Sequence, residues 1–326
     1  MPFPPALSVV LVTPDRYDRL RPVIQHLRRQ TARDRIEVII AAPRVANLHP
    51  DESELAEFAS FHLVEIGPIR SAGEPRAMGA RAATAPVIVF GEDHCWPEPD
   101  WAEALIETHR QPWGGVGPTL VNGNPGSIVS WASFLLNFGP CVERSSSGVC
   151  NYIPTHNSSF KADLLHVFGD RLGFAMEAEA LLHTELISDG GQLFMQTKAR
   201  AAHINISTFP FILWEQFWGA CYFWSARARW QQWSLLRRCI WAAGTPGLII
   251  LRVPRALKHA GRIGFPRHRL PALFFVLTSG ALSITCGAFC GILIGRSERS
   301  ADARVNMEFH RCRYLRPEDK HLLPDD

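Results

Sequence analysis

The sequence contains no CxxC pair and no ligand-spaced Cys/His cluster. Its eight cysteines stand apart at 95, 141, 150, 221, 239, 286, 290 and 312. That scatter argues against structural zinc and, at this length, against a disulfide scaffold. A basic stretch is missing from the start: MPFPPALSVVLVTPD has only the short apolar run Ala6–Val12, which reads as a buried strand rather than a signal peptide. The N-terminal body is therefore expected in a reducing cytoplasm. No Gly-rich, Lys- or Arg-bearing phosphate loop follows that strand, which disfavours a nucleotidyltransferase. Excess charge is also lacking. With 34 Lys plus Arg against 31 Asp plus Glu, the net of +3 is too small for a dedicated nucleic-acid binder, so no nucleic-acid partner is expected. Nor is the chain short of apolar residues: 47% hydrophobic against 20% charged excludes disorder as the main state. Its 326 residues allow one large domain or two modest ones.

What is present is unevenly distributed. Residues 1–226 carry 17 basic and 24 acidic side chains, a net of −7, and residues 227–326 carry 17 and 7, a net of +10. An acidic body joined to a basic tail points to a soluble domain followed by a part that meets an anionic surface. Within the body, Leu7–Thr13, Ile36–Ala42, Leu63–Ile66 and Val87–Phe90 are apolar runs. Helical patterns separate them at Tyr17–Gln30, Glu52–Ser60 and Gly73–Ala83. Unbroken apolar strands have both faces covered, so the alternation predicts a Rossmann-like α/β domain with a mostly parallel sheet and helices on both faces. Ligands of such sheets sit beyond the carboxyl ends of the strands.

Pro112–Gly169 reads as loops and short strands, Glu177–Asp189 as helix, and Gln192–Gln196 and Ala199–Ile206 as extended chain. Six of the ten tryptophans fall between Phe209 and Trp241, interleaved with Arg227, Arg229, Arg237 and Arg238. That mixture fits amphipathic helices in a membrane interface; the alternative is a helix packed on the domain. Leu270–Gly295 is 26 residues without a charge, which predicts a membrane-inserted segment, either a helix or a re-entrant hairpin. Gly287, Gly291 and Gly295 recur every four residues and would let another helix approach closely. The expected division is 1–208 for the catalytic domain, 209–265 for the interfacial helices, 266–296 for the inserted segment and 297–326 for a polar basic tail.

Chemistry is expected directly after the fourth strand, at Gly91-Glu92-Asp93-His94. Carboxylate oxygens there suit a divalent cation, and an imidazole tilts the choice from Mg2+ toward Mn2+. Such a triplet also occurs as plain loop solvation or a helix cap.

The run from Pro75-Arg76-Ala77-Met78-Gly79 through Val87-Ile88-Val89-Phe90-Gly91-Glu92-Asp93-His94, followed by Pro97 and Pro99-Asp100-Trp101, resembles the family 2 glycosyltransferases. The Leu7–Thr13 strand, the helix ending in Arg29-Gln30-Thr31 and Glu37–Ile40 are similar to that family's start, so the resemblance covers roughly residues 6–230. It implies a GT-A fold, a nucleotide-diphosphate sugar donor and inversion at the anomeric carbon. By position, Glu92 and His94 take the outer places of the family's Asp-x-Asp, similar to the Asp-x-His of polypeptide N-acetylgalactosaminyltransferases. Thr13, Asp15, Arg16, Arg76 and Asp93 are the further candidates for donor contacts, Asp15 and Arg16 by their place after the first strand, where Asp15 behind Pro14 equally fits a turn residue. One departure is Ala41-Ala42-Pro43, where family members often carry an acid after the second strand.

Thr155-His156-Asn157-Ser158-Ser159-Phe160-Lys161 resembles the family's cleft-lining segment and implies donor contacts from His156 and Asn157. Counting back from Gly190-Gly191, Glu179 matches the family's catalytic acid, with Glu177 in reserve. Inverting transfer needs such a carboxylate to take the acceptor hydroxyl's proton. Ala199–Ser207 resembles a family strand whose histidine, here His203, joins the metal or the diphosphate. The implied protein is a membrane-attached transferase of the bacterial inner-membrane type with a cytoplasmic catalytic domain. Its partners would be a nucleotide-sugar donor, a lipid-linked or glycan acceptor and the membrane, and a homo-oligomer is left open. The rival reading is a degenerate member that binds nucleotide-sugar or a partner without turnover.

Overall fold

The computed structural model describes residues 4–14, 16–142, 146–154, 156–177, 179–188, 190–295 and 297–324, with the side chains of 179 and 180 outside the description. The strands are β1 (Leu7–Val12), β2 (Ile36–Ala42), β3 (Ser60–Glu65), β4 (Val87–Phe90), β5 (Cys95–Pro97), β6 (Gly115–Asn122), β7 (Gly148–Cys150), β8 (Ser159–Lys161) and β9 (Leu193–His203). The helices of the first 203 residues are α1 (Arg21–Arg28), α2 (Glu52–Leu55), α3 (Gly73–Ala82), α4 (Trp101–Thr108), α5 (Ile128–Phe138), α6 (Ala162–His166), α7 (Leu172–Glu177) and α8 (Glu179–Ser188). After them come α9 (Phe209–Trp230), α10 (Leu235–Ala243), α11 (Gly247–Arg262), α12 (Leu270–Leu293) and α13 (Glu298–Phe309).

The chain divides into two compact units, and the first is formed by Met1–Val121, Glu143–His203 and Leu323–Asp325. Its sheet has the order β3-β2-β1-β4-β8-β6-β9-β5, with β7 paired to β9. β3, β2, β1 and β4 run parallel. Every residue of β1, β2 and β4 is buried, the burial that unbroken Val/Ile/Leu runs demand. Beyond β4 the sheet turns antiparallel through β8 and β6. Helix α3 lies close over β1: a Cβ on Gly79 would come 2.4 Å from Val10 Cγ1, so only glycine lets the helix approach at that point.

A buried carboxylate closes the amino end of the parallel strands. Glu37 accepts from the Ser8 hydroxyl and from the Thr84 amide (2.8 Å) and hydroxyl (2.6 Å). Burial alone would raise its pKa, but these bonds outweigh burial and hold it below the ordinary carboxylate range.

The second unit is formed by Asn122–Val142 and Ile204–Leu322, together with the terminal residue. Part of the stretch read as loop and short strand is the eleven-residue helix α5, whose amino end is capped by Ser127 Oγ accepting from the Val129 and Ser130 amides. Helix α12 is one unbroken helix rather than a hairpin, and among the described residues it alone is long and apolar enough to cross a membrane. The close approach expected of its glycines is made by α9. A Cβ on Gly287 would fall 2.0 Å from Phe217 O, and one on Gly291 would fall 2.2 Å from Cys221 O. Gly295 instead ends the helix with φ +87°.

The Trp/Arg segment breaks at Gln231–Ser234 into α9 and α10. Trp224 and Trp233 are buried with Ala228, Ala242, Ala288 and Ile292, so they serve the interior of this unit, while Trp241 is partly exposed. Arg227 lies over the rings of Trp224 and Trp241, at 5.3 and 5.6 Å.

Candidate active site

The candidate site lies in the first unit, where β4 ends. Two strand pairings assemble it from distant sequence. β8 pairs with β4, setting Ser159 opposite Val89, so the segment just before β8 arrives beside the residues just after β4. β5 pairs with β9, setting Cys95 opposite His203, so His94 and His203 become neighbours. Asn157 locks the junction. It holds a left-handed backbone (φ +60°), a conformation Asn tolerates better than most side chains, while its amide donates to Phe90 O at 2.7 Å.

Glu92 is the centre of the cluster. It is buried, and Asn157 Nδ2 donates to its Oε2 at 3.2 Å. His203 Nε2 is 3.6 Å from the same oxygen, while His94 Nε2 and His156 Nδ1 stand 3.6 and 3.4 Å from Oε1. The His94 and His203 rings meet edge to face at 5.0 Å. Cys95 lies fully buried against this group. Burial pushes its thiol pKa well up, the neighbouring Glu92 charge raises it further, and the hydrogen bond with Asn157 only partly offsets them.

These residues fit a divalent cation. Ligand atoms of Glu92, His94 and His203 all lie within 4.8 Å of one another, and all three residues are buried. His94 Nδ1 bonds to Asp93 Oδ1 at 2.6 Å. An ionised carboxylate only accepts, so the proton sits on Nδ1 and the lone pair on Nε2. That Nε2 is buried with no hydrogen-bond partner among the described residues. An imidazole oriented by a carboxylate, with its other nitrogen aimed at a buried acid, is the usual arrangement around a metal-binding histidine. One oxygen and two nitrogen donors suit Mn2+ better than Mg2+.

The other sequence candidates stand as follows. Asp93 contacts His94, and His156 joins Glu92. Thr13 is buried; its hydroxyl donates to Arg16 O at 2.9 Å and its amide to Ala41 O at 3.0 Å, so it shapes the turn after β1. Arg16 is exposed, and Asp15 lies outside the described residues. Arg76 is buried and donates to Ala72 O at 2.8 Å. Glu177 ends α7 against the start of α3: a Cβ on Gly73 would lie 2.9 Å from its amide nitrogen and 2.1 Å from Gly173 O. Glu179 opens α8, and its side chain is outside the description. Sequence reasoning missed Cys95, whose one signal is its place between the motif and a covered strand. His183, for which the helical pattern left a solvated face and a site role equally open, is buried between Tyr152 and Phe160.

Among solved structures the chain is similar to the mannosyltransferase PcManGT from Pyrobaculum calidifontis, in complex with GDP-Man and Mn2+. The TM-score is 0.57 over 90% of this chain and 89% of that one, at 15% sequence identity. At that identity the likeness establishes the fold, a glycosyltransferase-type α/β architecture of the GT-A kind. No protein-family model and no curated protein matches the sequence.

Proposed function

We propose that this protein is a metal-dependent, inverting glycosyltransferase, related to family 2, that moves a sugar from a nucleotide-diphosphate sugar to a hydroxyl acceptor. The observation that carries the reading is the buried Glu92–His94–His203 cluster beyond β4, in a fold shared with a nucleotide-sugar enzyme. A bound divalent cation, Mn2+ before Mg2+, would offset the charge of the diphosphate leaving group. The chain's own residues do the rest. Asp93 fixes the tautomer and plane of His94, and Asn157 orients Glu92. His156, Arg76, Arg16, Asp15 and Thr13 contribute donor contacts in this reading, Thr13 through the shape of its turn. Glu179, with Glu177 in reserve, accepts the acceptor hydroxyl's proton as the oxygen attacks the anomeric carbon. The bond to the diphosphate breaks on the opposite face, which inverts the configuration. The basic second unit with its apolar helix supports a membrane-attached protein acting on a lipid-linked or glycan acceptor.

The test is release of nucleoside diphosphate from GDP- and UDP-sugars, GDP-Man first because the structural neighbour holds it, with and without Mn2+. Turnover that needs the ion and is lost in His94→Ala supports the reading. Glu179→Gln is expected to cut turnover roughly 10²–10⁴-fold while donor affinity stays near wild type. The missing acid at Ala41-Ala42-Pro43 favours a second reading, a fold retained for binding. Donor binding by calorimetry without turnover across the whole panel would establish that reading instead.

A further inference from the structure

Helix α12 is long enough to cross a bilayer, about 36 Å against about 30 Å of hydrocarbon, yet half of its most apolar stretch is buried inside the protein. Its contacts fix its direction. Phe275 stacks on Phe209 with centroids 5.8 Å apart, Gly280 faces Gln216, Gly287 meets Phe217 and Gly291 meets Cys221. Ala288 and Ile292 share a core with Trp224 and Ala228. Successive residues match successive residues, so α9 and α12 run parallel, side by side.

The chain then comes back. Helix α13 packs along α9 and leads to three tethers near the start of that helix. Arg311 pairs with the buried Glu215 at 3.2 Å, Tyr314 stacks on Trp214 at 5.4 Å, and the Ser207 amide donates to Tyr314 O at 3.4 Å. The twelve residues of α13 include Glu298, Arg299, Asp302, Arg304 and Glu308. Were α12 to cross a bilayer, this segment would have to return through hydrocarbon with five ionisable side chains, which lipid does not accommodate.

The outward faces of three helices have a different character. Leu235, Leu236 and Ile240 on α10, Ile250 on α11, and Phe275 and Phe289 on α12 are all exposed. The exposed stripe of α11 continues at helical spacing from Leu251 into Arg255, Lys258 and Arg262. Between Glu215 and Glu298 lie 82 residues with no Asp or Glu and with eleven Lys or Arg. Apolar side chains bordered by cations, with no anion to repel headgroups, complement the surface of an anionic bilayer.

We propose that α10, α11 and α12 seat this unit in a single leaflet of an anionic bilayer, with α12 lying in that leaflet instead of crossing it. The proposal rests on the membrane attachment inferred above and not on the chemistry of the first unit.

The full-length protein is incubated with preformed vesicles of phosphatidylcholine, with or without phosphatidylglycerol, and floated. Binding is expected with phosphatidylglycerol and at least ~10-fold weaker without it or at high salt. The double variant Leu236→Glu/Ile240→Glu, exposed in the unbound protein, should bind at least ~10-fold more weakly with an unchanged circular dichroism spectrum. In a Cys239→Ser/Cys286→Ser background, His268→Cys and Arg299→Cys flank α12. On vesicle-bound protein both should react with a membrane-impermeant maleimide without detergent. Failure to bind phosphatidylglycerol vesicles, equal binding to neutral ones, or one of the two thiols reacting only after detergent would each overturn the proposal. Donor turnover in detergent is measured on the same preparations. If it persists while the vesicle tests fail, docking alone is rejected; the reverse rejects the transferase reading alone.

Discussion

At the scale of single residues, the candidate metal site depends on His94 and the groups that hold it. Asp93→Asn keeps the shape but weakens the acceptor on Nδ1, so Mn2+ affinity should fall about 10–100-fold by calorimetry. Unchanged affinity would remove Asp93 from the support of the site. A second residue governs acid stability. His109 is buried with Nε2 2.8 Å from Ser159 Oγ; burial, helped by nearby Lys161, holds its pKa down to about 4 from 6.5. Below pH 6.5 the unfolded chain binds a proton that the folded chain refuses until about 4, so stability is full above that window and is lost as pH falls through it, by ~3 kcal/mol in all. His109→Gln should flatten the denaturant midpoint between pH 6.5 and 4; an unaltered slope would contradict the assignment. Glu37, its pKa depressed, adds a loss in the same direction at lower pH. The positions of Glu92, His94 and His203 were legible because motif spacing and strand ends can be read along the chain. Their mutual distances were not, because two long-range strand pairings create them, and no local pattern marks the bond from Asp93 to His94.

At the scale of elements, legibility followed burial. β2 and β4 match their apolar runs residue for residue, and β1 differs by one, because strands covered on both faces leave an uninterrupted signal. β3, half-buried along its length, begins three residues before its apolar run. Helix α5 was hidden by the Gly, Ser and Asn residues before it, although Ser127 is itself a helix-starting signal. The two extended segments near 200 proved to be the single strand β9. The spacing of Gly287 and Gly291 announced a close helix, and the structure supplies α9 as that helix. Gly287→Ala should therefore destabilise the second unit by roughly 1–3 kcal/mol through overpacking. Gly219→Ala, with nothing within 4 Å of its added Cβ, should be neutral or slightly stabilising. Equal effects of the two in a denaturant titration in detergent would refute the close approach.

At the scale of the whole molecule, the charge asymmetry along the chain divides the chemistry between the two units. Buried carboxylate–imidazole chemistry belongs to the α/β unit, and the acid-free cationic stretch belongs to the helical one. If the first unit binds a donor as proposed, GDP-Man with Mn2+ at about a hundred times its Kd should stabilise the folded protein by ~2.7 kcal/mol, and His94→Ala should show no such gain. A cation held by Glu92 and His94 is tested most directly by Mn2+ binding in calorimetry to the wild type and to Glu92→Gln and His94→Ala, with donor turnover followed on the same samples. Saturable binding at one site per chain is expected, lost in both variants together with turnover. Turnover that continues undiminished in either variant without bound Mn2+ would contradict it.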